Sequence, residues 1–384
     1  MKLDEQVSIV GIGQSELVRR SRRSVEEMVV GAIRDAVADA GLELVDVDGI
    51  VTEGELVPQL VSANDVVANL GLADDLFAAR AGFGGTGILG STVVAAMVLR
   101  SGLATTVVSY FGLNWGSTNG AYGWHGQDPL KASLEMPFNF YGQPTYFAAN
   151  ARRYMHEYGL TEAQLGAVAT TARSWANLNP AAQVQGPLGL DDYLAAPMIA
   201  DPYRRYDCCL LSDGAVAFVM TTPERARDLR KPPVAVAACE SSFPATSVHS
   251  FLTQHGTPLI TQAAVTGPRA MAAAGIVPAD VDFVNIYDCF TLSCLLQFED
   301  LGFCEKGAAG RFFEEGGAGQ GGALPVNPHG GMLSEAYLMG ANNVIEAVRQ
   351  LRGEAGARQV PGASVGVVSG LGAEQTTLVL TGAR

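Results

Sequence analysis

A chain in which one helix-turn-strand pattern occurs twice, in the same register, is committed to folding as two related halves. The stretch AGLELVDVDGIVTEG begins at Ala40 and AGIVPADVDFVNIYD begins at Ala274; Gly41 falls on Gly275 and Asp48 on Asp282 without a gap, an offset of 234 residues (275 − 41). An alanine-rich segment precedes each copy, VGAIRDAVADAG and GPRAMAAAG, and an apolar run follows. A helix followed by a strand in both places makes each copy one supersecondary unit, used twice. A second pair repeats in the same order: GGTGILGSTVVAAMVLRSGLATTVVSYFG from Gly84, and GGMLSEAYLMGANNVIEAVRQLRG from Gly330 followed by ASVGVVSGLG. The charged, proline-bearing PERARDLRKPP separates the copies, which divides the chain into halves at 1–230 and 231–384. A loop-and-helix insertion, about 113–205, interrupts the first half. It contains aromatic and proline-rich loops and two helices, one opening at Thr161 as N-cap.

Composition narrows the function classes. Of the 384 residues 48% are hydrophobic and only 17% charged, which suits two closely packed α/β cores and excludes a disordered chain. The formal charge of −14 opposes a phosphate backbone, so nucleic acid is not an expected partner, and an anionic acyl-CoA would need a local basic patch. Residues 81 to 99 carry no charge, but their glycines predict a turn feeding a short buried helix rather than a membrane span. The six cysteines show no metal-ligand spacing, and the N-terminus runs almost at once into a strand; reduced thiols and a cytoplasmic location are the expectation.

The stretches YGQPTYFAANARRYMHEYGLTEAQLGAVATTARSWANLNPAA, YDCCLLSDGAVAFVMTT, YDCFTLSCLLQFEDLGFC and NPHGGMLSEAYLMGANNVIEAVRQLRG together resemble the thiolase superfamily, and within it the sterol-carrier-protein thiolase branch. The resemblance spans nearly the whole chain. It implies a thiolase fold: two βαβαβαββ halves related by a pseudo-two-fold, in a five-layered αβαβα arrangement, with loops of both halves converging on one acyl-CoA site.

The departures from that family carry the chemistry. Gly84 stands where a thiolase places its nucleophilic cysteine, and no cysteine occurs before residue 208. The branch motif HDCF appears as YDCF, which puts Tyr287 in place of one histidine. Six residues beyond Gly330-Gly331 stands Tyr337, in place of the other. The final glycine loop, VVSGLGAEQ with Gly372, offers Ser369 instead of a late cysteine. Both histidine positions thus hold a phenol, which can donate and accept hydrogen bonds. This set resembles the lipid-transfer-protein thiolase-like aldolases of bacterial steroid side-chain degradation.

That resemblance implies retro-aldol cleavage of a β-hydroxyacyl-CoA, a 17-hydroxy steroid C22-CoA thioester giving a 17-ketosteroid and propionyl-CoA, with no acyl-cysteine. Tyr287 and Tyr337 are the expected catalytic residues, with Tyr337 at the family's base position and a lowered phenol pKa as the condition for basic action. Gly84, His329, Gly330, Gly331 and Gly372 are expected to line the substrate, and Asp288 to cap the helix that follows it. No cofactor or metal is expected on this chain, since the substrate itself carries CoA. A homodimer is expected, closing an apolar sheet edge at α-helix 84–99 and the strand TTVVSYFG. Relatives imply a small OB-fold, zinc-ribbon partner and an α2β2 heterotetramer. Two other readings compete: a non-catalytic subunit that binds acyl-CoA or sterol, and an acyltransferase using Cys289.

Overall fold

The computed structural model describes residues 7–53, 61–81, 87–118, 129, 131–243, 259–372 and 374–382. In the first half β1 (Ser8–Gln14), α1 (Val25–Ala40), β2 (Gly49–Glu53), α2 (Ala63–Leu70), β3 (Phe77–Ala81), α3 (Gly87–Ser101) and β4 (Thr106–Asn114) precede the insertion. The insertion holds α4 (Trp115–Thr118), α5 (Gln143–Tyr158), α6 (Glu162–Ala176), α7 (Leu190–Ala195), β5 (Met198–Ala200) and β6 (Tyr203–Arg204). The half closes with β7 (Asp213–Thr221) and α8 (Pro223–Ala226). The second half runs β8 (Val234–Ser242), α9 (Ala263–Ala274), β9 (Phe283–Ile286), α10 (Thr291–Asp300), α11 (Ala309–Glu314), α12 (Gly331–Ser334), α13 (Ala341–Arg352), β10 (Val365–Ser369) and β11 (Gln375–Thr381).

Sheet order is β3-β2-β4-β7-β1-β8-β11-β10-β9, so the two halves mirror one another outward from the antiparallel β1–β8 pair. In each half the two outer strands of the shared pattern run parallel, β2 with β4 and β9 with β10, and the next two pairings are antiparallel. The counterpart of β3 is reduced to a parallel bridge between Val326 and Val284. The repeat register survives in detail. Gly41 and Gly275 both end their helices at left-handed φ (74° and 72°), and β2 and β9 begin at Gly49 and Phe283, the same 234 residues (283 − 49) apart. At these caps the amide reaches back to the last helical carbonyls, which only an αL residue allows without strain.

Alternation along the strands sorts their side chains between two cores. Val10, Ile50, Val108, Tyr110, Ala217 and Val219 face α1, whereas Ile9, Val51, Val107, Phe111, Val216 and Phe218 face the opposite way. Helices α3 and α13 pack on each other and on strands of both halves, with α1 outside the first half and α9 and α10 outside the second. The layers therefore run α-β-α-β-α. Within the insertion α6 starts as expected: Thr161 accepts from Gln164 N and Gln164 Oε1 accepts from Thr161 N, a capping box. Helix α6 packs on α10, α11 and α12, so the insertion reaches across onto the second half.

One expectation about the sheet needs correction. The strand TTVVSYFG leaves no open edge, because β4 is hydrogen-bonded to β2 on one side and β7 on the other and is buried almost throughout. The first-half edge strand is β3, with Ala78 and Arg80 exposed. No helix among the described residues is long and apolar enough to cross a membrane.

Candidate active site

Tyr287 is the first residue past the carboxyl end of β9, the usual place for ligands in a sheet with parallel crossovers. Its backbone is tied down from two elements. Its amide donates to Ser369 O at the end of β10 (3.0 Å), and its carbonyl accepts from Gln297 Nε2 of α10 (2.8 Å). Gln297 Oε1 accepts from Ser369 Oγ (3.0 Å), which accepts from Gln375 Nε2 of β11 (2.8 Å). Ser369 is thus wholly buried and fully engaged, a spacer between strands rather than a replacement nucleophile.

Tyr337 follows α12 and is fixed from the other half. Its amide donates to Ser212 Oγ (2.9 Å), whose hydroxyl donates to Gln183 Oε1 (2.8 Å). Its ring stacks on Trp115, centroids 5.4 Å apart and planes 18° from parallel. Trp115 begins α4 where β4 ends, and Asp213 clamps that segment by accepting from Ser117 N (2.9 Å), Ser21 N (2.8 Å) and the Ser117 hydroxyl. The residues after β4 of one half and after β9 of the other thereby meet at one point.

At that point the two phenols touch. Tyr287 Oη and Tyr337 Oη are 2.7 Å apart, with the rings edge-to-face at 6.3 Å. Both side chains are buried, at 4% and 7% exposure. Burial, reinforced by the neighbouring Tyr337 phenol and by Cys289, pushes the Tyr287 phenol well above its ordinary pKa. A phenol that acts as base needs a lowered pKa, and Tyr287 does not meet that condition. The site disfavours phenolate, so Tyr287 is a neutral donor at physiological pH.

Asp288 also differs from expectation. Phe290, not Asp288, is the N-cap residue of α10; Asp288 Oδ1 accepts from Met332 N (2.8 Å) at the start of α12 instead. Desolvation raises this carboxyl to about 6, against the lowering effect of the Met332 amide. It remains ionised at neutral pH and holds the turn that leads to Tyr337. Gly330 and Gly331 form that turn at φ 105° and 60°, and a Cβ on Gly331 would lie 2.0 Å from Asp288 Oδ2. Both glycines are buried; Gly331 lets Asp288 approach the backbone, and Gly330 lets Ala176 of α6 do so. His329 is wholly buried too, its Nε2 3.0 Å from Asn343 Oδ1 and 3.6 Å from Glu335 Oε2, so its ring is engaged with α13 rather than with Tyr337. Gly372 lies half-buried in the loop between β10 and β11. Gly84 falls outside the described residues.

Cys289 is buried with its sulfur 3.5 Å from Ser293 Oγ, and desolvation drives its thiol far above the ordinary value. With thiolate disfavoured, Cys289 is a poor nucleophile. Three residues that position the pair were not singled out from sequence: Trp115, Gln183 and Gln297. For Gln297 a signal existed, an uncharged polar residue inside the apolar run LSCLLQF.

Comparison with known proteins bears on this geometry. Residues 245–381 match the family described as Thiolase C-terminal domain-like. Over 97% of its length the chain is 37% identical to a steroid side-chain-cleaving aldolase of Thermomonospora curvata, 97% of which is covered. It is 36% identical to the 17-hydroxy-3-oxo-4-pregnene-20-carboxyl-CoA lyase of Mycobacterium tuberculosis, over 91% of this chain and 92% of that one. The chain belongs to the thiolase superfamily. Among solved members of the superfamily, the Ltp2-ChsH2(DUF35) aldolase superposes with a TM-score of 0.92 at 34% identity, covering 99% of this chain and 98% of the other. Human mitochondrial 3-ketoacyl-CoA thiolase, at 13% identity and a TM-score of 0.73, shares the thiolase fold.

Proposed function

We propose that this thiolase-superfamily chain is a carbon-carbon lyase that cleaves a β-hydroxyacyl-CoA by retro-aldol reaction, its substrate a 17-hydroxy steroid C22-CoA thioester. The observation that carries the reading is the hydrogen-bonded pair of buried phenols, Tyr287 at the end of β9 and Tyr337 after α12, with a buried, protonated Cys289 beside it. Relatives that align over almost the whole chain and are named for this cleavage support the substrate class.

The geometry suits a relay in which no phenolate accumulates. The bond between the carbinol carbon and the α-carbon breaks; its electron pair passes to the thioester as an enolate, and the carbinol becomes a ketone. Tyr337 takes the hydroxyl proton while passing its own to Tyr287 across the 2.7 Å contact, and Tyr287 delivers its proton to the enolate. One proton moves from oxygen to carbon, and both tyrosines end neutral. Because Tyr287 is held well above its ordinary pKa, cleavage at saturating substrate should be level between pH 7 and 9. A rate that climbs about tenfold per pH unit over that range would show a required phenolate instead.

The same reading includes a homodimer, now through β3, the strand that ends the first half's side of the sheet among the described residues and the natural place for pairing with its copy. The solved aldolase Ltp2-ChsH2(DUF35) carries a second protein, ChsH2, in its name, which supports a partner protein for this chain; the same proposal takes that partner to be a small OB-fold, zinc-ribbon protein, the assembly to be α2β2 and its location to be the cytoplasm. Sedimentation of the isolated chain at micromolar concentration should give the dimer mass. A stable monomer there would remove the β3 pairing.

A further inference from the structure

Arg173 is a buried cation with no counter-charge among the described residues. It lies on α6 at 6% exposure, and its Nε donates to Ser334 Oγ at 3.1 Å. The groups felt at its guanidinium are Tyr206 and a second arginine, Arg205, rather than a carboxylate. The two guanidinium carbons lie 5.8 and 6.0 Å from the centroid of the same Tyr206 ring. Arg205 is exposed and likewise has no carboxylate partner among the described residues, although the adjacent Arg204 is paired with Glu162 (2.8 Å). In a chain of net charge −14 such a pairing of like charges is costly, because burial penalises an unpaired cation and the second arginine adds repulsion. An anion that both guanidinia can grip would remove both costs.

The position suits the substrate. Ser334, which Arg173 holds, ends α12, and Tyr337 follows three residues on. One turn of α6 beyond Arg173, Ala176 abuts the Gly330 turn, where a Cβ on Gly330 would meet the Ala176 Cβ at 2.7 Å. The arginine pair therefore shares a scaffold with the tyrosine pair. We infer that Arg173, Arg205 and the Tyr206 hydroxyl form an anion site that takes the phosphate groups of the CoA thioester, Arg173 as the buried anchor and Arg205 as the solvent-side clamp. The inference rests on the aldolase reading for its ligand, and it names where an acidic protein receives an acidic substrate.

The test uses the full chain with its partner protein. Binding of CoA, dephospho-CoA and pantetheine is measured by calorimetry for the wild type, Arg205→Ala, Arg205→Lys and the control Arg227→Ala, which removes an exposed charge elsewhere. Arg205→Ala should weaken CoA about tenfold or more, the size of a lost charge-assisted hydrogen bond, leave pantetheine unchanged, and be partly rescued by Arg205→Lys. A loss shared by dephospho-CoA assigns the contact to the diphosphate, and a loss confined to CoA assigns it to the 3′-phosphate. In turnover, the KM of the CoA thioester should rise while the N-acetylcysteamine thioester of the same acyl group is unaffected. CoA binding within twofold of wild type in Arg205→Ala, an equal loss in Arg227→Ala, or loss of the partner complex with CoA binding retained would each overturn the assignment. Because binding is read directly, absence of aldol cleavage by the wild type would sink the aldolase reading and leave this result standing.

Discussion

Tyr337→Phe and Tyr287→Phe are each expected to lower turnover by about 10²- to 10⁴-fold, the range for losing a positioned proton donor or acceptor. Each variant removes one end of the 2.7 Å phenol contact and leaves the ring. The stack of Tyr337 on Trp115 needs no hydroxyl, and neither do the backbone ties of Tyr287 to Ser369 and Gln297, so folding should persist. The double variant should lose little more than either single one, because a relay fails as a unit. Cys289→Ser, in contrast, should keep most of the activity, since its thiol is held protonated and takes no part in the relay. Steady-state rates and near-ultraviolet circular dichroism on the same preparations check this. Near-wild-type rates in either folded phenylalanine variant would contradict the assignment.

Gly331→Ala carries the second large effect, on stability as well as activity. The added Cβ would stand 2.0 Å from Asp288 Oδ2 and 2.7 Å from its Cγ, at a φ of 60°. Left-handed strain and overpacking together should cost about 2–5 kcal/mol. The melting temperature should fall by several degrees, and turnover should fall further than the stability loss explains, because Asp288 holds the turn that delivers Tyr337. Gly353→Ala supplies the comparison: its φ is 71° with nothing within 4 Å of a new Cβ, so it bears strain without a clash. It should lose less stability than Gly331→Ala and keep its activity. Equal melting temperatures for the two variants would mean that Asp288 yields readily and does not hold the turn.

Much of the architecture was legible because helix caps and strand starts are local signals. Gly41 and Gly275 announce the same turn, and the common offset carries through to β2 and β9. The tyrosine positions were legible from the YDCF and Gly-Gly motifs, but their 2.7 Å contact was not, since Tyr287 and Tyr337 reach each other only through three-dimensional closure of the second half. Burial likewise cannot be read from a motif, and it holds the Tyr287 phenol well above its ordinary pKa, which leaves it the donor role rather than the basic one. The role of Asp288 was misplaced because an acid before a helix resembles a cap in sequence, whereas its partner, the Met332 amide, lies 44 residues further along the chain. The open sheet edge was assigned to the wrong strand for a related reason. An apolar run such as TTVVSYFG marks burial, and β4 is buried because it is central.

The retro-aldol claim is tested most directly by incubating the chain, with the proposed partner protein, with a 17-hydroxy steroid C22-CoA thioester and analysing products and intact protein by mass spectrometry. The expected result is a 17-ketosteroid and propionyl-CoA in equal amounts, with no acyl group on the protein. A covalent acyl adduct on the protein, or consumption of the thioester without the ketone, would contradict it.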